Sequence, residues 1–286
     1  MIDAGRKAEL LLHHAADAIT NDNLRHFTTR ITEHITKAIS LIPKEHCAEG
    51  SSTTPMKVVC YYPNWVYYRK GDGKYTVDDI DTSLCTHIIY SFVILDGEKH
   101  IIKAHDTWLD IDRSNSRGWN LGNFRKFTAL KKSNPDVKYM LALGGWNDSK
   151  MPKYSELLAS PAKIERFVEH AVGFLKEYGF DGLDLDYEYP SYDGHGRDAP
   201  DSDKPGFTLL CKRLSEAFKE HNYELTAAVS ASKTVIDDAY EVPEISQYLD
   251  AIHMMSYDLH GSWEKMVNHH SPIYGADWDP LTTDYA

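Results

Sequence analysis

The 286-residue sequence contains no run of 18 consecutive apolar residues, so no segment reads as a membrane-spanning helix. Its N-terminus offers three leucines, Leu10 to Leu12, between charges and histidines. A secretory signal needs ~7–15 apolar residues, so no signal peptide is expected in this chain. Cysteine is scarce. Cys47, Cys60, Cys85 and Cys211 form no C-x-x-C pair, which argues against a cysteine zinc site. The 15 histidines show no H-E-x-x-H spacing, and no metal or other cofactor is expected. Basic charge is also short: 31 Lys and Arg against 43 Asp and Glu give a formal charge of −12. Nucleic acid and anionic membrane surfaces both call for a basic face, so neither is expected as a main partner.

Apolar residues make up 42% of the chain, enough for a sizeable core. The 18 tyrosines, 6 tryptophans and 9 phenylalanines suit a flat, neutral ligand. Residues 1–46 read as helical, with Leu24, Phe27, Ile31, Ile35, Ala38 and Ile42 at spacings of three and four. An earlier stripe runs through Ala8, Leu11, Ala15 and Ile19. Residues 47–55 end in a small, polar stretch, Gly50-Ser51-Ser52-Thr53-Thr54-Pro55, and read as a linker. The remainder, 56–286, forms a second region.

There the pattern turns to short apolar runs separated by amphipathic stretches. Six strand candidates cover 57–62, 86–93, 137–143, 180–188, 225–230 and 251–257. Between them, 160–178 reads as a helix with Ser160 as N-cap, Pro161 in the first turn and Gly179 as terminator. A second helix spans about 205–220, with Phe207, Leu210, Cys211, Leu214 and Phe218 on one side. Strands alternating with helices predict an α/β fold built from parallel βα units.

The fourth strand candidate carries the chemistry. Side chains on a strand alternate faces, so Asp184, Asp186 and Glu188 share one face and Leu183, Leu185 and Tyr187 the other. Like charges ~6–7 Å apart repel, and burial disfavours ionised carboxyls. At least one carboxyl is expected to hold its proton near neutral pH, one at the wet end, as a general acid must. Glu188 is last in the row. A lone D-x-D pattern fits a helix cap or a cation site as well. Three acids on one face, flanked by aromatics and followed by Tyr189-Pro190, favour catalysis. Asp181 has the opposite parity and reads as structural. Trp146 follows Gly144-Gly145, which permit a close backbone approach. Aromatic rings pack on the C–H faces of sugars. Tyr61, Trp65, Phe92 and Tyr189 are further candidates, and Asp106 and Trp108 fit the same cleft. Asn147-Asp148-Ser149 is a glycosylation sequon beside Trp146, and Asn147 reads as a cleft residue rather than a glycan carrier.

Asp181-x-x-Asp184-x-Asp186-x-Glu188 matches the D-x-x-D-x-D-x-E signature of glycoside hydrolase family 18, the chitinases. Cys60 to Trp65, Cys85 to Phe92, Leu143 to Asn147, Leu225 to Val229 and Met255 to Glu264 resemble the family's first, second, third, fifth and sixth strand segments in order. The likeness runs from 56 to 286 and has an animal, arthropod-like flavour. It implies a TIM (β/α)8 barrel of which the first six βα units are present. It also implies retaining, endo-acting hydrolysis of chitin or chitooligosaccharides without a protein nucleophile. Glu188 would be the acid/base, Asp186 would orient the substrate's acetamido group, Asp184 would share a proton with Asp186, and Tyr257 would bond the acetamido oxygen. Met255 and Asp258 would contact sugar. By the same resemblance Cys60 and Cys85 are bridged and the protein is extracellular, while Cys47 and Cys211 read as buried free thiols. A chitin-binding lectin on the same scaffold and an endo-β-N-acetylglucosaminidase are the alternative functions.

The sequence departs from the family in three places. Tyr187 stands where tryptophan is common, and Ala142 where many members carry serine near the acid row. No seventh or eighth strand segment follows Trp263. An open six-stranded barrel would expose sheet edges, so the 286-residue chain is expected to be unstable or inactive and a longer parent active.

Overall fold

The computed structural model describes residues 56–112, 114–115, 118–192, 199–272 and 274. The helical segment expected over 1–46, the linker over 47–55 and Cys47 lie outside the described residues. The strands are β1 Val59–Pro63, β2 His87–Leu95, β3 Ile102–Ala104, β4 Ser114–Asn115, β5 Gly118–Trp119, β6 Lys138–Gly144, β7 Gly182–Asp186, β8 Glu224–Ser230 and β9 Ala251–Met255. The helices are α1 Thr107–Asp110, α2 Asn123–Ala129, α3 Trp146–Ser149, α4 Lys153–Leu158, α5 Pro161–Tyr178, α6 Asp203–Lys219, α7 Lys233–Ala239 and α8 Val242–Ile245.

Six strands pair in the order β1-β2-β6-β7-β8-β9, every neighbour parallel, as a half-barrel of βα units. β3 pairs antiparallel on β2, and β4 with β5 forms a separate two-stranded ribbon. All six expected strands are present. The fourth is shorter than its apolar pattern suggests: β7 stops at Asp186, so Glu188 stands in the loop beyond it.

The clearest helix shows why these residues fold as they do. In α5, Ile164, Phe167, Val168, Ala171, Leu175 and Tyr178 are buried, the spacing that puts one face of a helix on a sheet. The Lys163 N–H donates to Ser160 Oγ at its start. At its end Gly179 adopts φ 80°, and its N–H donates to the Leu175 carbonyl at 2.8 Å. The outer face of the sheet meets the helices through Leu141, Leu143, Leu183, Leu185, Leu225 and Ala227. Each fully buried aliphatic or aromatic side chain there contributes ~1.5–3 kcal/mol. Tyr187 lies on this side too, stacked on Tyr154 at 4.6 Å, and its hydroxyl donates to Asp203 Oδ2 at 2.9 Å.

The inner face is different. Ile89, Met140 and Ala142 form a small apolar floor with Val59 and Phe92 against it. Register places Ser91, Ala142, Asp184 and Thr226 in one row across four strands. Small residues in that row leave room for Tyr61 to reach across to Asp184. Cys60 and Cys85 are bridged, with Cα atoms 6.1 Å apart, and Cys211 is a buried free thiol in α6. Among the described residues no helix is long and apolar enough to cross a membrane.

Candidate active site

Asp184 and Asp186 point to the inner face because β7 alternates, and both are buried. Asp184 is fully enclosed. Its Oδ2 accepts from the Tyr61 hydroxyl at 2.8 Å and its Oδ1 from the Thr226 hydroxyl at 2.6 Å. His253 Nδ1 lies 3.3 Å from the same Oδ1 and 2.8 Å from the Tyr61 hydroxyl. Both Asp184 oxygens thus act as acceptors from hydroxyl donors. Tyr61 is 40% exposed along its ring, yet its hydroxyl sits inside, where burial and the Asp184 charge push its pKa up.

Asp186 has another environment. Burial, then Glu188 and Asp184 beside it, push its carboxyl well above the usual carboxylate range. Its Oδ1 is buried without a hydrogen-bond partner. Glu188 is 9% exposed. Burial pushes its carboxyl up to about 7; a hydrogen bond from Tyr189 pulls it down, and the Asp258 charge adds to the rise. Tyr189 bonds Ser230 as well as Glu188, so it backs the acid.

β6 and β7 converge here through two glycines. A Cβ on Gly144 would lie 2.2 Å from the Asp186 carbonyl oxygen, and Gly144 has φ 119°. A Cβ on Gly145 would press on the Phe92 ring at 3.1 Å. Without it, Phe92 lies close, and Trp65 stacks on Phe92 at 5.9 Å and 20°.

A cleft of about 740 Å³ opens over this floor. Glu188, Asp186, Gly144, Gly145, Trp146, Asn147, Trp65, Phe92, Met255, Tyr257 and Asp258 all line it. Trp146 and Trp65 are 46% and 45% exposed, with Lys150 Nζ over the Trp146 ring at 5.9 Å and one face of Trp65 on Phe92. Burial and the nearby carboxylates Asp186 and Glu188 push the Tyr257 hydroxyl up to about 12, which keeps it a donor. Asp184, Tyr61 and Tyr189 support the cleft from below and behind. Asp181 lies apart, its Oδ2 accepting from the Tyr139 N–H at 2.8 Å and its Oδ1 from Lys131 Nζ at 2.6 Å.

Ile94, His105 and Asp148 also line the cleft. Sequence reasoning passed over them and singled out Asp106 and Trp108, of which neither is on the lining. Asp106 caps α1 and accepts from the Tyr68 hydroxyl, while Trp108 packs edge-on against Tyr67. Thr226, His253, Ser149 and Asp110 were missed as well. Asp110 is fully buried. It accepts from Asn64 Nδ2, the Tyr90 hydroxyl at 2.5 Å and the Asp106 N–H at 3.2 Å, and burial pushes it up to about 6. It ties the turn of Trp65 to the segment of His105.

A family model described as glycosyl hydrolases family 18 matches residues 57–286. The chain belongs to that family. Among its relatives, "Probable chitinase 10" of Drosophila melanogaster is 44% identical over 219 residues, covering 76% of this chain and 9% of that protein. A mutant of catalytic domain 2 of the Group II chitinase of Ostrinia furnacalis, solved with (NAG)5, superposes with a TM-score of 0.74 at 50% identity, covering 79% of this chain and 57% of that one. Human YKL-39, described as a pseudo-chitinase with retained chitooligosaccharide binding properties, superposes at 0.68 with 30% identity, covering 81% and 60%. This family 18 chain thus spans less than two thirds of each.

Proposed function

We propose that the cleft of this family 18 chain hydrolyses β-1,4-linked N-acetylglucosamine polymer, chitin, from within the polymer and with retention, using the substrate's acetamido group as nucleophile. The observation that carries this is the contrast within the acid row. Glu188 stands at the cleft wall with its proton leaving near pH 7, as a general acid needs. Burial and the neighbouring Glu188 and Asp184 push the Asp186 carboxyl well above the usual range, which makes it a poor nucleophile, and its unpartnered Oδ1 offers an acceptor to an acetamido N–H. Retention without a carboxylate nucleophile requires assistance from the substrate.

In the first step Glu188 gives its proton to the glycosidic oxygen, and the acetamido oxygen attacks the anomeric carbon as the glycosidic C–O bond breaks and the leaving chain departs as an alcohol. Asp186 holds the acetamido N–H, and the Tyr257 hydroxyl bonds the acetamido oxygen. The resulting oxazolinium ion is opened by water, whose proton passes to the Glu188 carboxylate. Asp184, which accepts from Tyr61 and Thr226, is the carboxyl with which Asp186 shares a proton. The leaving chain stacks on Trp146 or Trp65, and Met255, Asn147 and Asp258 border the sugars.

The reading extends to the whole chain. Residues 56–286 are assigned to the glycosidase barrel, 1–46 to a separate helical segment and 47–55 to a linker. The Cys60–Cys85 bridge supports an oxidising, extracellular setting.

The test is chitooligosaccharide cleavage by the wild type and Glu188→Gln, with the product anomer read by NMR. It is run on the 286-residue chain and on that chain extended with the part of the Ostrinia domain it does not span. Equal rates in wild type and variant would sink the acid assignment, and an inverted product would sink the substrate-assisted route. Binding without cleavage would instead support the second reading, a chitooligosaccharide-binding protein, which the likeness to YKL-39 favours.

A further inference from the structure

We propose that Ser149 is a positioning residue that clamps the backbone of Glu188 to the turn carrying Trp146. The inference rests on Glu188 being the acid/base. β7 ends at Asp186, so Glu188 stands two residues beyond the sheet ladder. Its N–H donates instead to Ser149 Oγ at 3.0 Å. Ser149 is fully buried at the end of α3, and its own hydroxyl donates to the Gly145 carbonyl at 3.0 Å. A serine hydroxyl has one proton to give and lone pairs to accept with, and both capacities are used here.

The bonds close a circuit. The Gly145 N–H donates to the Asp186 carbonyl at 2.8 Å, and the Ser149 N–H donates to the Gly145 carbonyl at 3.0 Å. The chain from Asp186 to Glu188 is therefore gripped at both ends by one turn, 145–149. That turn is fastened in its own right. Asp148 Oδ2 accepts from the Leu95 N–H at 3.1 Å and the Tyr154 hydroxyl at 2.7 Å, and its Oδ1 pairs with Lys153. So Asn147-Asp148-Ser149, which reads as a sequon, works here as a latch: Asp148 holds the turn to the end of β2, and Ser149 holds the acid to the turn.

Removal of one hydroxyl should let the Glu188 backbone drift while leaving the sugar-contacting faces in place. In Ser149→Ala the expected result is a ~10–100-fold fall in kcat, the scale of a misplaced catalytic group, with KM within about 2-fold of wild type. Titration of tryptophan fluorescence with a chitooligosaccharide should give an unchanged Kd. Ser149→Cys keeps the volume with a weaker hydrogen-bonding group and should fall between the two; it decides the matter if the alanine variant does not fold. Wild-type kcat in either folded variant, or equal losses in kcat and binding, would overturn the inference. A wild type whose cleavage does not depend on Glu188 would overturn the reading of the site, and this inference with it. Glu188-dependent cleavage with a fully active Ser149→Ala would overturn this inference alone.

Discussion

Replacement of the acid by glutamine should stabilise the protein, and only at high pH. Glu188 has an ordinary carboxyl pKa of 4.5 when the chain is unfolded and one of about 7 in the fold. The folded state thus binds more protons between these values, and stability must fall as pH rises through that window. The contribution is fully present below pH 4.5 and lost above 7. At about 1.36 kcal/mol per pH unit, the window costs about 3 kcal/mol. Glu188→Gln keeps the side chain's shape and removes the ionisation. The variant should match wild type at pH 4.5 and exceed it at pH 8 by about 3 kcal/mol. For a domain of this size that is a Tm rise of about 6–12 °C. Urea unfolding followed by tryptophan fluorescence at both pH values measures it. Parallel stability curves, or a gain at pH 4.5 rather than pH 8, would refute the assignment of a buried, proton-holding Glu188. If Glu188 is the proposed general acid, the basic limb of kcat/KM should fall near pH 7 in the wild type, because a general acid works only while protonated.

Thr226→Val should destabilise by about 1.5–3 kcal/mol, the worth of a hydrogen bond to a charged group, whereas Thr226→Ser should cost about 0.8 kcal/mol for the lost methyl. Chemical denaturation ranks the two, and a costlier serine would mean that volume rather than the Asp184 bond matters. Opening the Cys60–Cys85 bridge in Cys60→Ser frees a 25-residue separation, which the chain-entropy model puts at about 3–4 kcal/mol, visible as a lower Tm under non-reducing conditions. Trp146→Ala should raise KM for chitooligosaccharides about fivefold with a smaller change in kcat, since an exposed ring contributes about 1 kcal/mol of stacking; an unchanged KM would place the sugar elsewhere.

The half-barrel was legible because its causes are local. Apolar runs such as Ile88-Ile89-Tyr90 and Leu141-Ala142-Leu143 announce strands, and Ser160 and Gly179 bracket α5 with cap chemistry that a sequence displays openly. Alternation alone put Asp184 and Asp186 on one face. What alternation does not carry is lateral register. Thr226 matters because it lies opposite Asp184 on β8, and nothing in Leu225-Thr226-Ala227 says which residue of β7 it faces. Its polar side chain within a buried apolar run was the available signal, and His253 within Ala251–Met255 was another. The end of β7 was misplaced for a related reason. Tyr187 and Glu188 continue the alternating pattern, but Ser149, distant in sequence, takes up the Glu188 N–H that a ladder would otherwise use.

Depth, more than residue type, separates the three acids. Asp184 lies in the row Ser91, Ala142, Asp184, Thr226, where the Ala142 methyl offers no hydrogen bond. Tyr61, from a strand that is not its neighbour, and Thr226, from one that is, supply donors in its place. Donors from β1 and β8 thus stand in for one at Ala142. Two residues higher, Asp186 faces Gly144, which has no side chain to offer, and its Oδ1 stays without a partner. Higher still, Glu188 leaves the sheet and meets the cleft, where Tyr189 bonds it from behind and solvent touches it from the front. β7 and the loop after it thus deliver an acceptor fixed by donors, a neighbour whose carboxyl is pushed well above the usual range and has an oxygen without a partner, and a carboxyl pushed up to about 7. Moving Asp184 or Asp186 back by one residue would put its carboxyl where Leu183 or Leu185 now lies, unpaired in the apolar core.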